Sequence, residues 1–343
     1  MPMKQPGFFD VDTRYAELAG RDPLVELSRG IPWESFRAFI EQIHTQERKS
    51  NAGRPSWDAV LIMKALVLAT LYNLSDDQLE YQIRDRLSFM RFLGLQLEDR
   101  VPDAKTLWRY REQLTQRGVM QDLFARFEAH LQTQGYRALK GQIVDASIVR
   151  VPKQRNGSDE NRQIKAGDVP PDWTANPDKL RQKDVDARWT LKDGQCHYGY
   201  KNHLSVDVKH KLVRRYNVTP ANVHDSQCFN ALLDDAQRGA AVYGDGAYRS
   251  QERVQLLTQR GFIDQLHYKG HKHQPLSDAQ LKANRARSRL RARVEHVFGF
   301  QENSMGGKFL RSIGLHRAQL RIGMMNLVYN FMRLLQLKRL QTG

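Results

Sequence analysis

The sequence predicts an all-helical N-terminal domain followed by an α/β domain in which helices flank a mixed sheet of five strands. In residues 1–136 apolar side chains recur at helical spacing, whereas from residue 141 the elements follow the order β-β-β-α-β-α-β-α. A chain of 343 residues is also long enough for two domains. We therefore expect a helical domain in residues 1–136, an α/β domain in residues 137–308 and a C-terminal helix in residues 309–343.

Two helices are predicted near the middle of the helical domain. Ser56 is expected to cap a helix from Trp57 to Tyr72, which is apolar nearly all round and is therefore expected to be buried. Ser75 is expected to cap the helix that follows.

A third helix is predicted in VPDAKTLWRYREQL, with Asp103 or Thr106 as its cap. Its basic and aromatic side chains are Lys105, Arg109, Arg111, Trp108 and Tyr110. Short helices that end in a basic helix are typical of the helix-turn-helix, which inserts its recognition helix into the major groove of DNA. An ordinary helical bundle with a solvated basic face explains the pattern equally well, so both interpretations stay open.

The α/β domain is predicted to begin with three strands. GQIVDASIVRV predicts the first, and HYGYKNHLSVDV and KLVRRYNVTPANV predict a hairpin that turns near Lys209 and His210. Residues 152–190 are polar and contain four prolines, which favours a loop or insertion between the first strand and the hairpin.

Two further strands, AVYGDGAY and FIDQLHYKG, are expected to alternate with helices. Ser226 is expected to cap the helix before the fourth strand, and Ser250 the helix after it, which Gly261 ends. Ser277 is expected to cap a long basic helix from Asp278 to Val297, and RAQLRIGMMNLVYNFMRLLQLKRL predicts the final helix.

The composition indicates a polyanionic partner. The chain carries 54 Lys and Arg against 38 Asp and Glu, a net charge of +16, and nucleic acid is the usual partner of so basic a protein. No uninterrupted apolar stretch reaches membrane length, so no membrane partner is expected. The sequence MPMKQPGFFDVD lacks the apolar core of a signal peptide, and Cys196 and Cys228 form no CxxC pair, which favours a cytoplasmic location.

Two of the predicted strands each carry an aspartate after apolar residues. Asp145 follows Ile143 and Val144 in the first strand, and Asp245 follows Val242 and Tyr243 in the fourth. If these strands are neighbours, both carboxylates face one crevice, where their repulsion favours a divalent cation such as Mg²⁺. The Gly-Asp-Gly sequence around Asp245 is also typical of a plain turn.

Glu295 offers a third carboxylate, from the long basic helix. It lies beside an apolar stripe and four residues after Arg291, so a surface ion pair between the two is the simpler interpretation. The order of an aspartate on a strand, a second aspartate on a strand and a glutamate on a helix favours a metal ligand instead.

In this order the motifs resemble the DDE transposases of bacterial insertion sequences, specifically the insertion sequence 5 family. The helical segment SWDAVLIMKALVLATLYNLSDDQLEYQIRDRLSFMRFLGL is similar to the family's N-terminal domain, and VPDAKTLWRYREQL to the end of that domain. The family's catalytic motifs are similar to IVDAS, VYGDGAY and RARVEHVFG in this chain, and the family's C-terminal helix is similar to RIGMMNLVYNFMRL. The likeness extends over nearly the whole chain.

The resemblance implies an RNase H-like catalytic core in which Asp145, Asp245 and Glu295 hold two Mg²⁺ ions, with Mn²⁺ as a possible substitute. The family's third motif is Tyr, two residues, Arg, three residues, Glu, six residues and Lys. Ser288 stands in the place of the Tyr and Glu302 in the place of the Lys, whereas the Arg and the Glu fit. The residues expected to contact DNA are Arg291, Lys105, Arg109, Arg111, Lys201 and Lys308.

The function that the resemblance implies is that of a transposase. Such a protein binds the terminal inverted repeats of an insertion sequence, cleaves the DNA and transfers the strand by phosphoryl transfer. Double-stranded DNA is the expected partner, a homodimer or larger assembly is expected because two ends must be joined, and the expected location is the bacterial cytoplasm at the nucleoid. A catalytically decayed DNA-binding protein and a nuclease that does not transpose are the alternatives.

Overall fold

The computed structural model describes residues 10–20, 22–43, 56–138, 140–270 and 274–342. The chain divides into two units, of which the first comprises Met1–Arg126 and Phe331–Gly343 and the second Phe127–Asn330. The helices up to residue 133 are α1 (Asp10–Ala19), α2 (Pro23–Gly30), α3 (Arg37–Glu41), α4 (Ala59–Leu71), α5 (Asp76–Asp85), α6 (Leu87–Leu93), α7 (Ala104–Arg117) and α8 (Met120–Thr133).

The caps of the central helices decide where each begins. α4 is almost entirely buried, as expected, but its cap is Asp58, whose side chain accepts the N–H of Leu61 at 2.9 Å, so the prediction of Ser56 was wrong. The prediction for α5 is confirmed, because Ser75 forms a capping box with Gln78. Of the two alternatives for α7, Asp103 is the cap.

The second unit is built on six strands rather than the five predicted. They are β1 (Gln142–Arg150), β2 (Arg188–Lys192), β3 (Gln195–Asp207), β4 (Val213–Pro220), β5 (Ala241–Gly244) and β6 (Ile263–Leu266). The additional strand is β2, at the end of the segment predicted to be a polar insertion. It has no buried residue and pairs only with β3, so its sequence RWTLK lacks the apolar signal of a core strand.

The sheet has the order β2-β3-β1-β5-β6, and β4 also pairs with β3. β3 pairs with β2 through its first five residues and with β4 through the seven that follow. It is antiparallel to β1, from Gln142 opposite Asp207 to Arg150 opposite Gly199. β1 and β5 are parallel neighbours, as are β5 and β6, so the expected adjacency of the two strands that carry aspartates is confirmed.

The remaining helices are α9 (Ser158–Ala166), α10 (Pro171–Thr174), α11 (Pro177–Arg181), α12 (Phe229–Leu232), α13 (Gln251–Gln259), α14 (Asp278–Arg291), α15 (Glu295–Met305) and α16 (Leu315–Thr342). α9, α10 and α11 occupy the segment 152–190, which is therefore structured and not a plain loop. Trp173 is fully buried within this segment and donates its indole N–H to Glu160 at 2.7 Å.

The predicted long basic helix is interrupted. Ser277 caps α14 as expected, but a 3-10 turn at Ala292–Val294 separates α14 from α15, so Glu295 begins a new helix. Ser250 is confirmed as the cap of α13. The prediction for Ser226 was wrong, because His224 caps a 3-10 turn there and α12 has no side-chain cap.

The apolar core beneath β1 and β5 supports the strand ends. Its buried members include Val144, Val242, Leu266, Phe229 and Tyr248. Among the described residues no single helix has the length and hydropathy of a membrane span, although α4 and α5, which meet at 106°, satisfy both criteria when taken as one bent pair.

Candidate active site

Asp145 and Asp245 lie at equivalent places on two adjacent parallel strands. Gln142 pairs with Val242 and Ile143 with Tyr243, so the same register places the two aspartates two residues further along. Asp145 still belongs to β1, whereas Asp245 follows the last residue of β5. The two aspartates therefore lie side by side on neighbouring strands, as the sequence predicted.

The Asp145 carboxylate is held in a mostly buried environment. Its pKa is raised from 3.8 to about 6, chiefly by burial and also by the negative charge of Asp245, although Arg291 and the Ala146 N–H oppose the shift. The Ala146 N–H donates to Oδ1 at 2.8 Å, and Arg291 Nη1 lies 3.4 Å from Oδ2. Two carboxylates at close quarters with one guanidinium leave a site that favours further positive charge.

The sequence around Asp245 forms a turn, as the simpler interpretation held. Asp245 Oδ1 accepts the N–H of Ala247 at 2.9 Å, and its carbonyl oxygen accepts the N–H of Tyr248 at 3.2 Å. The side chain is only partly buried, so its second oxygen is available to a ligand. Asp245 therefore both forms the turn and presents a partly exposed carboxylate.

Tyr248 lies directly behind the aspartates. Its hydroxyl is buried and has no hydrogen-bond partner among the described residues. Burial raises the pKa of this phenol, and Asp145, Asp225 and Asp245 add to the effect, which places all three acids in its surroundings. The Tyr248 hydroxyl is therefore a buried hydrogen-bond donor that has no acceptor among the described residues. Buried donors without an acceptor are rare in folded proteins.

Glu295 is not brought to the two aspartates. It is exposed, as the first residue of α15, and the described structure records no contact between it and Asp145 or Asp245. The predicted surface pair with Arg291 is also not formed, because Arg291 pairs with Asp145 instead. Three residues of 3-10 turn rotate Glu295 by about 60° relative to a continuous α-helix, which removes it from the face of Arg291.

The basic residues predicted on the third helix divide into two kinds. Lys105 and Arg109 are exposed on α7, next to Trp108, which is 48% exposed. Arg111 instead forms a two-point ion pair with Asp76 of α5, with Nη2 donating to Oδ2 at 2.7 Å. Of these three residues, only Lys105 and Arg109 present their charge on a surface.

Lys201 and Lys308, also predicted to contact DNA, are both engaged with acids. Lys201 is mostly buried and donates to Asp225 Oδ1 at 2.7 Å and to the carbonyl oxygen of Val223 at 2.9 Å. Lys308 Nζ lies 2.6 Å from Glu302, the residue that stands where the family motif has a Lys.

The sequence did not single out two residues near the carboxylates. Lys192, at the end of the unpredicted β2, is exposed and its charge lowers the pKa of Asp145. His267 directly follows β6, donates its backbone N–H to the carbonyl oxygen of Gly244 and lies 3.4 Å from the hydroxyl of Ser288. Burial and then Arg291 lower the pKa of His267, and Asp245 opposes them. His267 lies within FIDQLHYKG, the predicted last strand, and this position was the available signal.

The aspartates suit a hard divalent cation. Carboxylate oxygens are the ligands that Mg²⁺ prefers, and the charge of both acids in a low-dielectric crevice favours such an ion. No three acidic, histidine or cysteine residues in the described ranges form a group that could hold a metal. Asp145 and Asp245 therefore fit as a partial ligand set, and a third protein ligand is not brought to them.

Comparisons with known proteins show the family to which the chain belongs. Residues 137–331 match a family described as the transposase DDE domain, and residues 13–113 match a family described as a transposase domain. Among solved structures, the cryo-EM structure of the piggyBac transposase synaptic complex with hairpin DNA is similar in fold, with 12% sequence identity and a TM-score of 0.50 over 93% of this chain and 75% of that chain. The crystal structure of the Mos1 strand transfer complex aligns over 90% of this chain and 100% of that chain at 13% identity, and its TM-score of 0.19 is too low to support an argument. Because the DDE match extends over more than half of the chain, the protein belongs to the DDE transposases, enzymes that cleave and transfer DNA strands.

Proposed function

We propose that the protein is the transposase of a bacterial insertion sequence of the insertion sequence 5 family, acting on the terminal inverted repeats of its element. The observation that supports this most directly is the parallel pairing of β1 and β5, which brings Asp145 and Asp245 together. The strand order β4-β3-β1-β5-β6, with only β3 antiparallel to the rest, supports the RNase H-like core that the resemblance implies.

Asp145, Asp245 and Glu295 are the residues that would hold two Mg²⁺ ions. Bound divalent cations would activate the nucleophile and stabilise the leaving oxygen of phosphoryl transfer, and Mn²⁺ is expected to substitute. Because Glu295 is exposed at the start of α15, its participation requires the 3-10 turn at Ala292–Val294 to rearrange when DNA binds.

The protein's own cations are proposed to position the DNA. Arg291 faces Asp145, so its guanidinium is placed to contact a phosphate next to the cleaved bond. Lys105 and Arg109, with Trp108 between them, form an exposed surface on α7 that we propose binds the inverted repeat. Joining two ends requires a homodimer or larger assembly, and the DNA substrate places the protein at the nucleoid.

The test is Mg²⁺-dependent cleavage of inverted-repeat DNA by the wild-type protein and by Asp145→Asn, Asp245→Asn and Glu295→Gln. Each substitution removes charge with little change in shape, so we expect cleavage to fall to background in each. Asp159→Asn is the matched control, because Asp159 is exposed on α9. Cleavage by the three variants at the wild-type rate would refute the site assignment.

A catalytically decayed DNA-binding protein is the second candidate. The position of Glu295 away from the aspartates favours it, together with Ser288 and Glu302 at the motif's Tyr and Lys positions. It predicts sequence-specific binding to the inverted repeat without Mg²⁺ and no cleavage by the wild-type protein. A nuclease that does not transpose would cleave the DNA without joining the 3′ end to a target.

A further inference from the structure

A cavity of about 350 Å³ lies in the second unit beyond the end of β1. Its walls come from three segments, residues 151–155, 182–184 and 311–313. The volume is within the range of sites that hold small organic ligands. None of the residues proposed for catalysis lines it.

The cavity is strongly basic. Arg155 and Arg311 are exposed at its wall, and no carboxylate of the described residues lies within ion-pair distance of either. Lys153 extends over the exposed ring of Trp189, 5.6 Å from its centroid. Lys183 is the fourth cation, with its amine donating to the carbonyl oxygen of Arg155 at 2.9 Å. Such a wall attracts an anion.

The acid at the wall does not neutralise these cations. Asp184 is 2% exposed, and its carboxylate accepts hydrogen bonds from the backbone N–H groups of Ala187 and Gly314 and from the hydroxyl of Tyr200. Its oxygens are therefore directed into the protein and occupied.

Two residues of the cavity wall each carry a buried polar atom without a hydrogen-bond partner in the described structure. They are Gln154, through Oε1, and Ser312, through Oγ. Buried polar atoms are nearly always paired, so a ligand toward which these side chains turn would complete their hydrogen bonding. A bare phosphate would not suit Gln154, because an amide oxygen is an acceptor and needs a donor. The ligand must therefore combine an anionic group with an N–H donor.

A nucleotide has both groups, a phosphate and the amino or imino N–H of a base edge. Asp145 lies six residues before Val151, which lines the cavity, so the candidate active site and the cavity are about 20 Å apart along the strand. This distance equals the rise of about six nucleotides of B-form DNA. A base that is paired in a duplex has its edge occupied, so only an unpaired nucleotide can enter a cavity in this way.

We infer that this cavity binds one unpaired nucleotide of a DNA strand, with its phosphate on Arg155 and Arg311 and its base edge on Gln154 and Ser312. That the nucleotide belongs to a DNA strand rests on the proposed function. The nucleotide site in the cavity does not, because nucleotide binding is measured without cleavage.

The phosphate contacts are tested with the full-length protein in the absence of divalent metal. Fluorescence anisotropy compares a labelled single-stranded oligodeoxynucleotide with a blunt duplex of the same sequence. Arg155→Ala/Arg311→Ala is expected to weaken binding of the single strand about tenfold and to lower its salt slope by about 0.7 for each phosphate that the variant no longer neutralises, with a smaller effect on the duplex. The matched control is Arg162→Ala/Lys165→Ala, which removes the same charge from α9 outside the cavity. Equal reductions in affinity for both DNA forms, or by both double variants, would overturn the inference.

The base contacts are tested with 2-aminopurine placed at each position of the single strand in turn. A base held out of the stack fluoresces more strongly, so we expect an increase at one position with wild-type protein and its disappearance in Gln154→Ala/Ser312→Ala. An increase that persists in this variant, or none in the wild type, would contradict the inference, with thermal melting confirming that each variant is folded.

Free nucleotide is the other source of the same chemistry. Unlabelled deoxyadenosine monophosphate and inorganic phosphate are therefore added as competitors of the bound strand. Displacement only by unlabelled single strand supports a DNA ligand, whereas equal displacement by the mononucleotide would refute it. Absence of cleavage activity in the wild-type protein would refute the proposed function and leave these binding results unchanged.

Discussion

The two glycines beside Asp245 differ in what surrounds them, although the sequence treats them alike. A Cβ atom on Gly244 would lie 2.9 Å from Leu266 Cδ2 and 3.2 Å from Tyr248 Cδ2, and both neighbours are fully buried. On Gly246 the nearest atom would be a carbon of Lys269 at 3.5 Å, an ordinary contact. Gly244 is therefore required by packing under the strand end.

This difference predicts unequal effects of one added methyl group. Gly244→Ala is expected to lower the free energy of unfolding by about 1–3 kcal/mol, because the buried side chains around it cannot move aside without strain. Gly246→Ala is the matched control and is expected to change it by less than about 1 kcal/mol. Urea unfolding followed by circular dichroism measures both, and equal effects would contradict the packing argument.

Glu160 gives the structured insertion a pH dependence. Its carboxylate accepts hydrogen bonds from the backbone N–H of Gly157, the indole N–H of Trp173 and the ammonium group of Lys179, which together lower its pKa from 4.5 to about 2. Because the pKa of Glu160 is lower in the folded protein, its ionised carboxylate stabilises the fold at pH values above the unfolded pKa of 4.5. This contribution is lost as the pH falls toward 2.

Glu160→Gln is therefore expected to melt at a lower temperature than the wild type near neutral pH, with the difference shrinking as the pH falls below 4.5. Thermal melting at a series of pH values measures it. Asp178→Asn, on the exposed end of the same segment, is the control and should show no such trend. A difference that is constant with pH would exclude the ionised carboxylate as the cause.

At the scale of secondary structure elements, the sequence predicted the helical character of residues 1–136, the helices after β4 and five of the six strands, and it failed where local pattern carries little information. The strand β2 is too polar to be recognised alone, and it forms because β3 is long enough to pair with two strands on one side. The break between α14 and α15 has no proline or glycine to mark it. Asp145 and Asp245 were predictable because each follows apolar strand residues, whereas the pairing of Asp145 with Arg291 joins residues too distant in sequence for any spacing rule.

The helix α7 shows how one element can carry both stabilising and binding residues. Arg111 pairs with Asp76 and is partly buried, so Arg111→Ala is expected to cost about 1–2 kcal/mol of folding stability. Lys105 and Arg109 are exposed, so their replacement by alanine is expected to leave stability unchanged and to weaken DNA binding, with a lower salt slope. Urea unfolding and anisotropy with duplex DNA measure the two properties. A weaker affinity for DNA in Arg111→Ala at full stability would reverse the assignment.

At the scale of the whole molecule, the first unit is assembled from both ends of the chain. Its N-terminal helices are joined by residues 331–343, which include the end of α16, and the earlier part of α16 belongs to the second unit. Phe331 is fully buried and packs edge to face on Trp33, with ring centroids 5.6 Å apart, and at a tilt on Phe36 at 5.9 Å. The sequence predicted this helix but could not assign its last turns to the first unit, since periodicity says nothing about which apolar face it meets.

The aromatic contacts of Phe331 predict that the end of α16 stabilises a unit far from it in sequence. Phe331→Ala is expected to lower the free energy of unfolding of the first unit by about 3–5 kcal/mol, because it leaves a cavity between Trp33 and Phe36. Leu340→Ala is the matched control on the same helix, where the side chain is 69% exposed, and it should change stability by less than about 0.5 kcal/mol. Urea unfolding of the full-length chain, followed by tryptophan fluorescence and far-ultraviolet circular dichroism, measures both. If the two variants unfold at the same urea concentration, the helix end does not belong to the core of the first unit, and a chain ending at residue 330 would keep that unit folded.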